Sequence, residues 1–186
     1  MGKQFQSISP KLKTFIDQQK IFFVGTAACE GTVNVSPKGM DSLRVVDANK
    51  VVWLNLTGSG NETAAHLLQN SRMTILFCAF EGKPMILRLY GTANIYHERD
   101  QQFHDYYSLF ESNVGARQII EMNVDLVQTS CGFAVPKMQF KEERTILDDW
   151  AEKQGREGIE TYWEKKNVKS IDGFETNILA DQSKTN

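Results

Sequence analysis

Residues 51–80, VVWLNLTGSGNETAAHLLQNSRMTILFCAF, decide how the rest of the chain is interpreted. An apolar run ends in a glycine-rich turn at residues 57–61, a short helical pattern follows, and a second apolar run begins at Met73. A strand, a glycine turn and a helix start in this order direct backbone N–H groups toward an anion. The stretch therefore predicts an anion site, with a phosphate group as the leading hypothesis.

The same turn has a simpler interpretation that needs no ligand. Ser59 and Glu62 have the Ser-x-x-Glu spacing of a capping box, in which two side chains satisfy the free N–H groups of a helix start. Glu62 would also bring negative charge close to a bound phosphate. Both interpretations remain open at the level of this stretch alone.

The composition is that of an ordinary globular protein and excludes several classes of function. The chain has 186 residues, 41% of them apolar, and a net charge of −2 without any run of Lys or Arg, so neither nucleic acid nor an anionic membrane surface is an expected partner. The three cysteines are far apart, and no CxxC or Cys/His cluster suggests a metal site. Odd, unclustered cysteines and the lack of a signal-like or membrane-spanning segment favour the cytoplasm.

The spacing of apolar runs and turns predicts a mainly β fold with flanking helices. Short runs at residues 21–28, 32–36, 43–46, 51–56 and 73–80 are separated by tight turns, and a longer strand over 85–97 bends at Gly91. Ser9-Pro10 has the pattern of a helix start. Since only one short helix interrupts the central strands, the pattern favours an antiparallel sheet closing into a barrel and not a Rossmann fold.

Two basic side chains are candidates for binding an anion. Lys38 lies in SPKG at a strand end, and it is either a cation near a ligand or a solvated lysine in a turn. Arg88 lies in the apolar run MILRLY, where a guanidinium needs an acceptor because burial without one costs several kcal/mol or more. That acceptor is a ligand anion, a carboxylate, or water.

A second polar cluster, QTSCG at residues 128–132, offers an amide, two hydroxyls, a thiol and a glycine at another strand end. These groups suit either flavin heteroatoms and phosphate or an ordinary turn. No triad or paired carboxylates suggest acid–base catalysis by the chain itself, and no catalytic residue is assigned. This favours chemistry carried by a cofactor, for which we predict a flavin nucleotide.

The order of these motifs resembles a known family. SPKGMD, LTGSGNETAAHLLQN, FEGKPMILRLYG, GARQII and VQTSCGFAVP, with KKNVKSIDG further on, are together similar to the pyridoxamine 5'-phosphate oxidase-like family of flavin-binding split barrels, in its oxidase-related FMN-binding branch. The resemblance runs from about Ile21 to Gly173. It implies a six-stranded antiparallel split β-barrel of Greek-key type, and a homodimer with FMN at the subunit interface.

The resemblance also implies positions for the cofactor contacts. The strand end would run along the flavin ring, the glycine turn and helix start would hold the phosphate, and the second polar cluster would reach FMN, from the same or the partner subunit. The residues concerned are Ser36, Pro37, Lys38, Thr57, Ser59, Asn61, Thr63, Thr129, Ser130, Cys131 and Gly132. Glu62, in the same turn, and Arg88, in its apolar run, complete the predicted cofactor site.

Two departures from the oxidases bear on activity. Glu62-Thr63 stand where the oxidases have an Arg-Lys pair, which leaves backbone, hydroxyls and Lys38, Arg88 or Arg117 to meet the phosphate charge. The end of the chain, DGFETNILADQSKTN, lacks the basic motif that grips pyridoxamine phosphate. We therefore expect an FMN-dependent oxidoreductase acting on a small molecule, ahead of a non-catalytic binding module for flavin, deazaflavin or haem, and ahead of a vitamin B6 oxidase.

The whole chain, residues 1–186, is predicted to form a single FMN-binding domain. Charged helical patterns over about 141–175 predict a C-terminal helical extension, and the polar residues from about 176 to 186 predict a disordered tail.

Overall fold

A computed structural model describes residues 2–180, which form eight strands and four helices. In chain order these are β1 (Lys3–Phe5), α1 (Pro10–Asp17), β2 (Phe22–Ala27), β3 (Val33–Lys38), β4 (Leu43–Asp47), β5 (Lys50–Leu56), α2 (Glu62–Leu67), β6 (Arg72–Cys78), β7 (Ile86–His97), α3 (Gln101–Tyr107), β8 (Ala116–Ser130) and α4 (Ile146–Lys166).

All eight strands belong to one antiparallel sheet, so the predicted β-rich class with flanking helices is confirmed. The strand order is β3-β2-β6-β7-β8-β5-β4, and β1 pairs with the far end of β8. The predicted count of six strands was too low. One strand that the sequence pattern did not identify is β1, a three-residue segment, KQF, that is exposed at every position and so has no apolar alternation.

The two faces of the sheet differ sharply. On the inner face, Val24, Ile75, Leu89 and Val127 lie side by side on four neighbouring strands, and all four are fully buried. The next residue of this row is Ser36, on the edge strand β3. This row of core residues therefore ends in a polar residue at the β3 edge of the sheet, next to the candidate site.

The predicted bend at Gly91 is a β-bulge. Tyr90 faces Leu126, whereas Gly91 faces Val124, so β8 carries one extra residue, Asp125, at this point. Apolar side chains on both sides of the bulge therefore point into the same core. Leu89 of β7 and Met122 of β8, on opposite sides of the bulge, are both fully buried in it. The bulge curves the sheet around its core.

The helices follow their sequence signals with shifted ends. In α1 the Ser9 hydroxyl accepts a hydrogen bond from the Leu12 N–H, as the Ser-Pro start predicts. The predicted C-terminal helix begins at Ile146, later than expected, and is interrupted at Gly155, where φ is 62°. No helix within residues 2–180 is long and apolar enough to span a membrane.

The packed chain continues beyond α4. Thr176 is fully buried, and Ile178 packs with Ile159 and Trp163 of α4 in a small core of its own. The predicted disordered tail thus begins in a part of the chain that packs, and its last six positions, 181–186, lie outside the described residues.

Candidate functional site

A polar pocket of about 370 Å³ lies at the β3 edge of the sheet. Its walls are the alternate β3 residues Asn34, Ser36 and Lys38, the turn at residues 58–61 with the first turn of α2, and Arg117 at the start of β8. The volume falls within the ~300–1,000 Å³ of small-molecule sites. Thus the glycine turn and the SPKG strand end, 20 residues apart in the sequence, form one cavity.

Two cations line this pocket, Lys38, which is half-buried, and Arg117, which is buried. Burial lowers the pKa of Lys38 to about 8, with a further contribution from the nearby charge of Arg117, and burial lowers the pKa of Arg117 to about 9. Arg117 is only 3% exposed. Lys38 Nζ lies 5.0 Å from the centre of the Trp53 ring. Neither cation forms a salt bridge within residues 2–180, although buried charges are normally paired. The pocket therefore has an unmet preference for an anion.

Several buried polar atoms of the pocket walls also lack partners. Within residues 2–180, Asn55 Oδ1, Asn61 Oδ1 and Arg117 Nε are buried without a hydrogen bond. Such atoms are rare in folded proteins, and each calls for a partner. The three residues that carry these atoms all line the pocket, so the unpaired atoms are concentrated in its walls.

The glycine turn is held from behind by α4. Trp163 Nε1 donates to Thr57 Oγ1 at 2.8 Å, and Thr57 Oγ1 in turn donates to the Gly115 carbonyl. Asn167 Nδ2 donates to the Gly58 carbonyl at 3.0 Å. Thr57 was predicted to hold phosphate, but its hydroxyl is buried and has both a donor and an acceptor within the protein. It therefore shapes the turn from the side away from the pocket.

The alternative interpretation of Ser59 and Glu62 as a capping box is wrong. The residue before α2 is Asn61, and its side chain makes no cap hydrogen bond. Both carboxylate oxygens of Glu62 instead lie within 3.2 Å of the Ile171 N–H. This carboxylate therefore accepts from the C-terminal segment, while its negative charge remains in the wall of the pocket.

The C-terminal segment also contacts the β2–β3 hairpin. Asp172 accepts hydrogen bonds from the N–H and the hydroxyl of Thr32, and these bonds lower the pKa of its carboxyl. Residues 171 and 172 therefore connect the start of α2 to the hairpin that carries β3. In this way the C-terminal segment supports two walls of the pocket.

Asn34 is a wall residue that sequence reasoning missed. Its Nδ2 donates to Thr26 Oγ1 and Thr63 Oγ1, and its Oδ1 accepts from the Ser36 hydroxyl. Thr26 continues the chain of bonds to the buried His66, 3.1 Å away. The network fixes the hydroxyls of Ser36 and Thr63. The only sequence signal for Asn34 was a polar residue between two valines on an edge strand.

Six of the predicted site residues lie together in this pocket, and the others lie elsewhere. Arg88, Thr129, Ser130, Cys131 and Gly132 line no part of it. Arg88 is half-buried and donates to Ser130 Oγ at 3.2 Å. Pro37 lies on the outer face of the sheet, because it pairs with Phe23, which points away from the core row. The pocket members are Ser36, Lys38, Ser59, Asn61, Glu62 and Thr63.

Comparison with known proteins assigns the chain to a family. The model of the family described as pyridoxamine 5'-phosphate oxidase matches residues 8–131. The chain belongs to the pyridoxamine 5'-phosphate oxidase family. Members of this family typically bind a flavin. Trp163 of α4, Asn167 just after it and the segment at 171–172 lie beyond the matched region, so part of what holds the turn is outside the part that defines the family.

Individual relatives agree with this assignment. A pyridoxamine 5'-phosphate oxidase family protein from Aspergillus flavus, ustO, is 39% identical over 137 residues. That alignment covers 71% of this chain and 55% of the relative, so the chain spans about half the length of this curated relative.

Solved structures share the fold at low sequence identity. A point variant of HupZ from Group A Streptococcus has a TM-score of 0.54 at 19% identity, covering 66% of this chain and 99% of HupZ. A structure described as a putative pyridoxamine 5'-phosphate oxidase from Lactobacillus delbrueckii has a TM-score of 0.52 at 18% identity, covering 66% of this chain and 94% of that one.

Proposed function

We propose that the chain binds FMN in the pocket between β3 and the glycine turn, and uses it for hydride or electron transfer with a small molecule. The observation that carries the proposal is the pair of cations, half-buried Lys38 and buried Arg117, which share one cavity and form no salt bridge within residues 2–180. A phosphate dianion would provide the missing countercharge. Ser59, Thr63 and Arg117 would hold the phosphate, and Ser36 and Lys38 would line the ring.

Bound flavin would supply the redox chemistry, and the chain would supply binding and orientation. The hydroxyl of Thr63 accepts from Asn34 and so keeps its own proton free to donate to an anion. The Ser36 hydroxyl donates to Asn34 Oδ1 and so presents only lone pairs to a ligand. These fixed hydroxyls suit a ligand with an anion at one end and an N–H group on a ring.

The direct test is an absorption spectrum of the purified protein together with mass spectrometry of the released ligand. We expect a flavin spectrum and the mass of FMN, whereas riboflavin, FAD, deazaflavin or haem would each give a different mass. A colourless protein that acquires no flavin spectrum on addition of FMN would contradict the proposal.

Turnover decides between an enzyme and a carrier. The bound flavin is reduced with NADH or NADPH and then offered a panel of acceptors, with pyridoxine and pyridoxamine phosphates tested separately as substrates. We expect repeated reduction and reoxidation. A flavin that binds but never cycles would instead make the protein a binding module.

We place the protein in the cytoplasm, on the cysteine pattern alone.

FMN affinity should depend on pH through Lys38. Its pKa of about 8 in the free protein lies below the ordinary 10.5, and a bound dianion would raise it. Binding then takes up a proton above about pH 8, so affinity falls as the pH rises. We expect FMN affinity to fall about 10- to 30-fold between pH 7 and pH 9.5.

Fluorescence titration at several pH values measures this dependence. The Lys38→Met variant should bind FMN more weakly at pH 7 and lose much less affinity than the wild type up to about pH 8.5, below the pKa of about 9 of Arg117, the second cation of the pocket. A wild-type profile as flat as that of the variant would show that no anion lies near Lys38.

We further propose a homodimer formed through the outer face of the sheet. On this face Val35, Gly25, Thr74, Tyr90 and Leu126 lie side by side across five strands. Val35 is 68% exposed, and Val33, two residues earlier on the same face of β3, is 73% exposed. Arg88 and Ser130 lie on the same face. A second copy would bring this polar pair to a flavin site that each chain builds only in part.

Sedimentation velocity tests the dimer. The wild type should sediment as a dimer, and Val35→Lys as a monomer with lower FMN affinity, because a lysine at this position would have to be desolvated in the interface. Val46→Lys, at a valine of β4 that is 43% exposed, is the matched control and should remain dimeric. A monomeric wild type would refute this part of the proposal.

A further inference from the structure

Asn167, just after α4, makes an unusual set of contacts with the pocket. It is fully buried. Its Oδ1 accepts from Arg117 Nη1 at 2.8 Å, and its Nδ2 donates to the Gly58 carbonyl. Its backbone carbonyl accepts from Asn61 Nδ2 and from the Thr176 hydroxyl. One residue thus connects the pocket cation, both ends of the turn and the C-terminal segment.

The choice of a neutral amide at this position has a consequence for charge. Within residues 2–180 the Arg117 guanidinium donates to the Gly60 carbonyl and to Asn167 Oδ1, both neutral acceptors. Aspartate has nearly the same shape as asparagine and would form a buried ion pair with Arg117 at the same distance. An asparagine orients the guanidinium without cancelling its charge, so the countercharge must come from another source.

We propose that Asn167 is a positioning residue for the anion site, which fixes Arg117 and the turn at residues 58–61 while leaving the Arg117 charge available to the phosphate of the ligand. This inference rests on the proposed function, since it assumes that the ligand in the pocket carries a phosphate. It assigns a role in ligand binding to a part of the chain that lies 36 residues beyond the matched family region.

The geometry of the turn supports a positioning role. Residues 58–61 run along the pocket wall. The Gly58 carbonyl accepts from Asn167 Nδ2, and the Gly60 carbonyl accepts from Arg117 Nη1, the same nitrogen that donates to Asn167 Oδ1. Asn167 thereby orients the turn and the cation together.

The test compares FMN with riboflavin, which lacks the phosphate, in the full-length protein. In Asn167→Asp the new carboxylate neutralises Arg117, so FMN affinity should fall about 30-fold or more while riboflavin affinity changes less than about threefold. Asn123→Asp, the same substitution at an exposed position on β8, should leave both affinities within about twofold of the wild type, because exposed charges are screened.

A second variant separates charge from orientation. Asn167→Ala adds no charge but frees Arg117 and the turn, and we expect FMN affinity to fall about tenfold with a smaller loss for riboflavin. Circular dichroism and thermal melts establish that the variants are folded. The ratio of the two affinities is the decisive readout, because a purely structural role would change both affinities equally.

The outcomes are distinguishable. A wild type that binds neither flavin refutes the proposed function. If the wild type prefers FMN and the folded Asn167→Asp and Asn167→Ala variants keep the same preference, the role of Asn167 is refuted and the proposed function is not. If neither variant folds, Asn167 belongs to the folding core, and the positioning role is likewise rejected.

Discussion

Replacing Arg117 by Met should weaken FMN binding by about 100-fold without destabilising the free protein. The affinity loss corresponds to about 2–3 kcal/mol, the cost of removing one charged partner from a buried ionic contact. In the free protein the same change removes an uncompensated buried charge, which offsets the loss of its bonds to Gly60 and Asn167. We therefore expect the free energy of unfolding to stay within about 1 kcal/mol of the wild type or to rise.

Urea unfolding of the ligand-free protein and fluorescence titration with FMN measure the two effects. Arg72→Met is the matched control, since Arg72 is exposed at the start of β6 and, within residues 2–180, its side chain donates to the neighbouring Asn70 side chain. It removes the same net charge and should leave FMN affinity unchanged. An Arg117→Met protein that bound FMN like the wild type would place the phosphate elsewhere.

Replacing Gly91 by Ala should prevent the chain from folding. A Cβ atom at this position would lie 1.9 Å from the Asn123 carbonyl oxygen and 3.1 Å from Val124 Cα, both in the backbone of β8. Backbone atoms in a central strand pair cannot move aside without breaking the bulge that curves the sheet. We expect the free energy of unfolding to fall by more than about 4 kcal/mol, an exceptionally large effect for a single substitution.

Expression in soluble form and a urea unfolding curve test this expectation. Gly25→Ala is the control in the same sheet, because its Cβ would meet Thr74 only at ordinary contact distance, 3.9 Å. The Gly25→Ala variant should fold, and its free energy of unfolding should differ from that of the wild type by less than about 1 kcal/mol. A soluble Gly91→Ala protein of normal stability would mean that the bulge is more adaptable than its geometry implies.

The fold class followed from the sequence because it depends on local signals. Short apolar runs, the hairpin turns and the glycine at position 91 each specify their own element. The number of strands was harder to predict from the sequence. The three residues of β1 are all exposed, and the strand is defined by its pairing with β8 and not by an apolar pattern. The start of α4 also differed from the prediction: the helix begins at Ile146, although helix-forming residues precede it from about residue 141.

The candidate site was only partly accessible because its residues come from distant parts of the chain. SPKG and the glycine turn carry local signals and do form one pocket with Arg117. The buried contacts of Asn34 and Asn167 depend on tertiary packing, and an asparagine in a strand or after a helix carries no distinct pattern. Glu62 is the clearest case, because its spacing predicted a cap and its carboxylate binds Ile171 instead.

The attachment of the glycine turn to α4 also sets an order of events during translation. Once β8 has been synthesised, all eight strands exist, and the sheet can begin to assemble while later residues are still being added. At that stage Gly58 and Thr57 still lack Asn167 and Trp163, and Thr32 lacks Asp172. A nascent chain should therefore acquire its barrel first and its capacity to retain a cofactor only after the last helix has emerged.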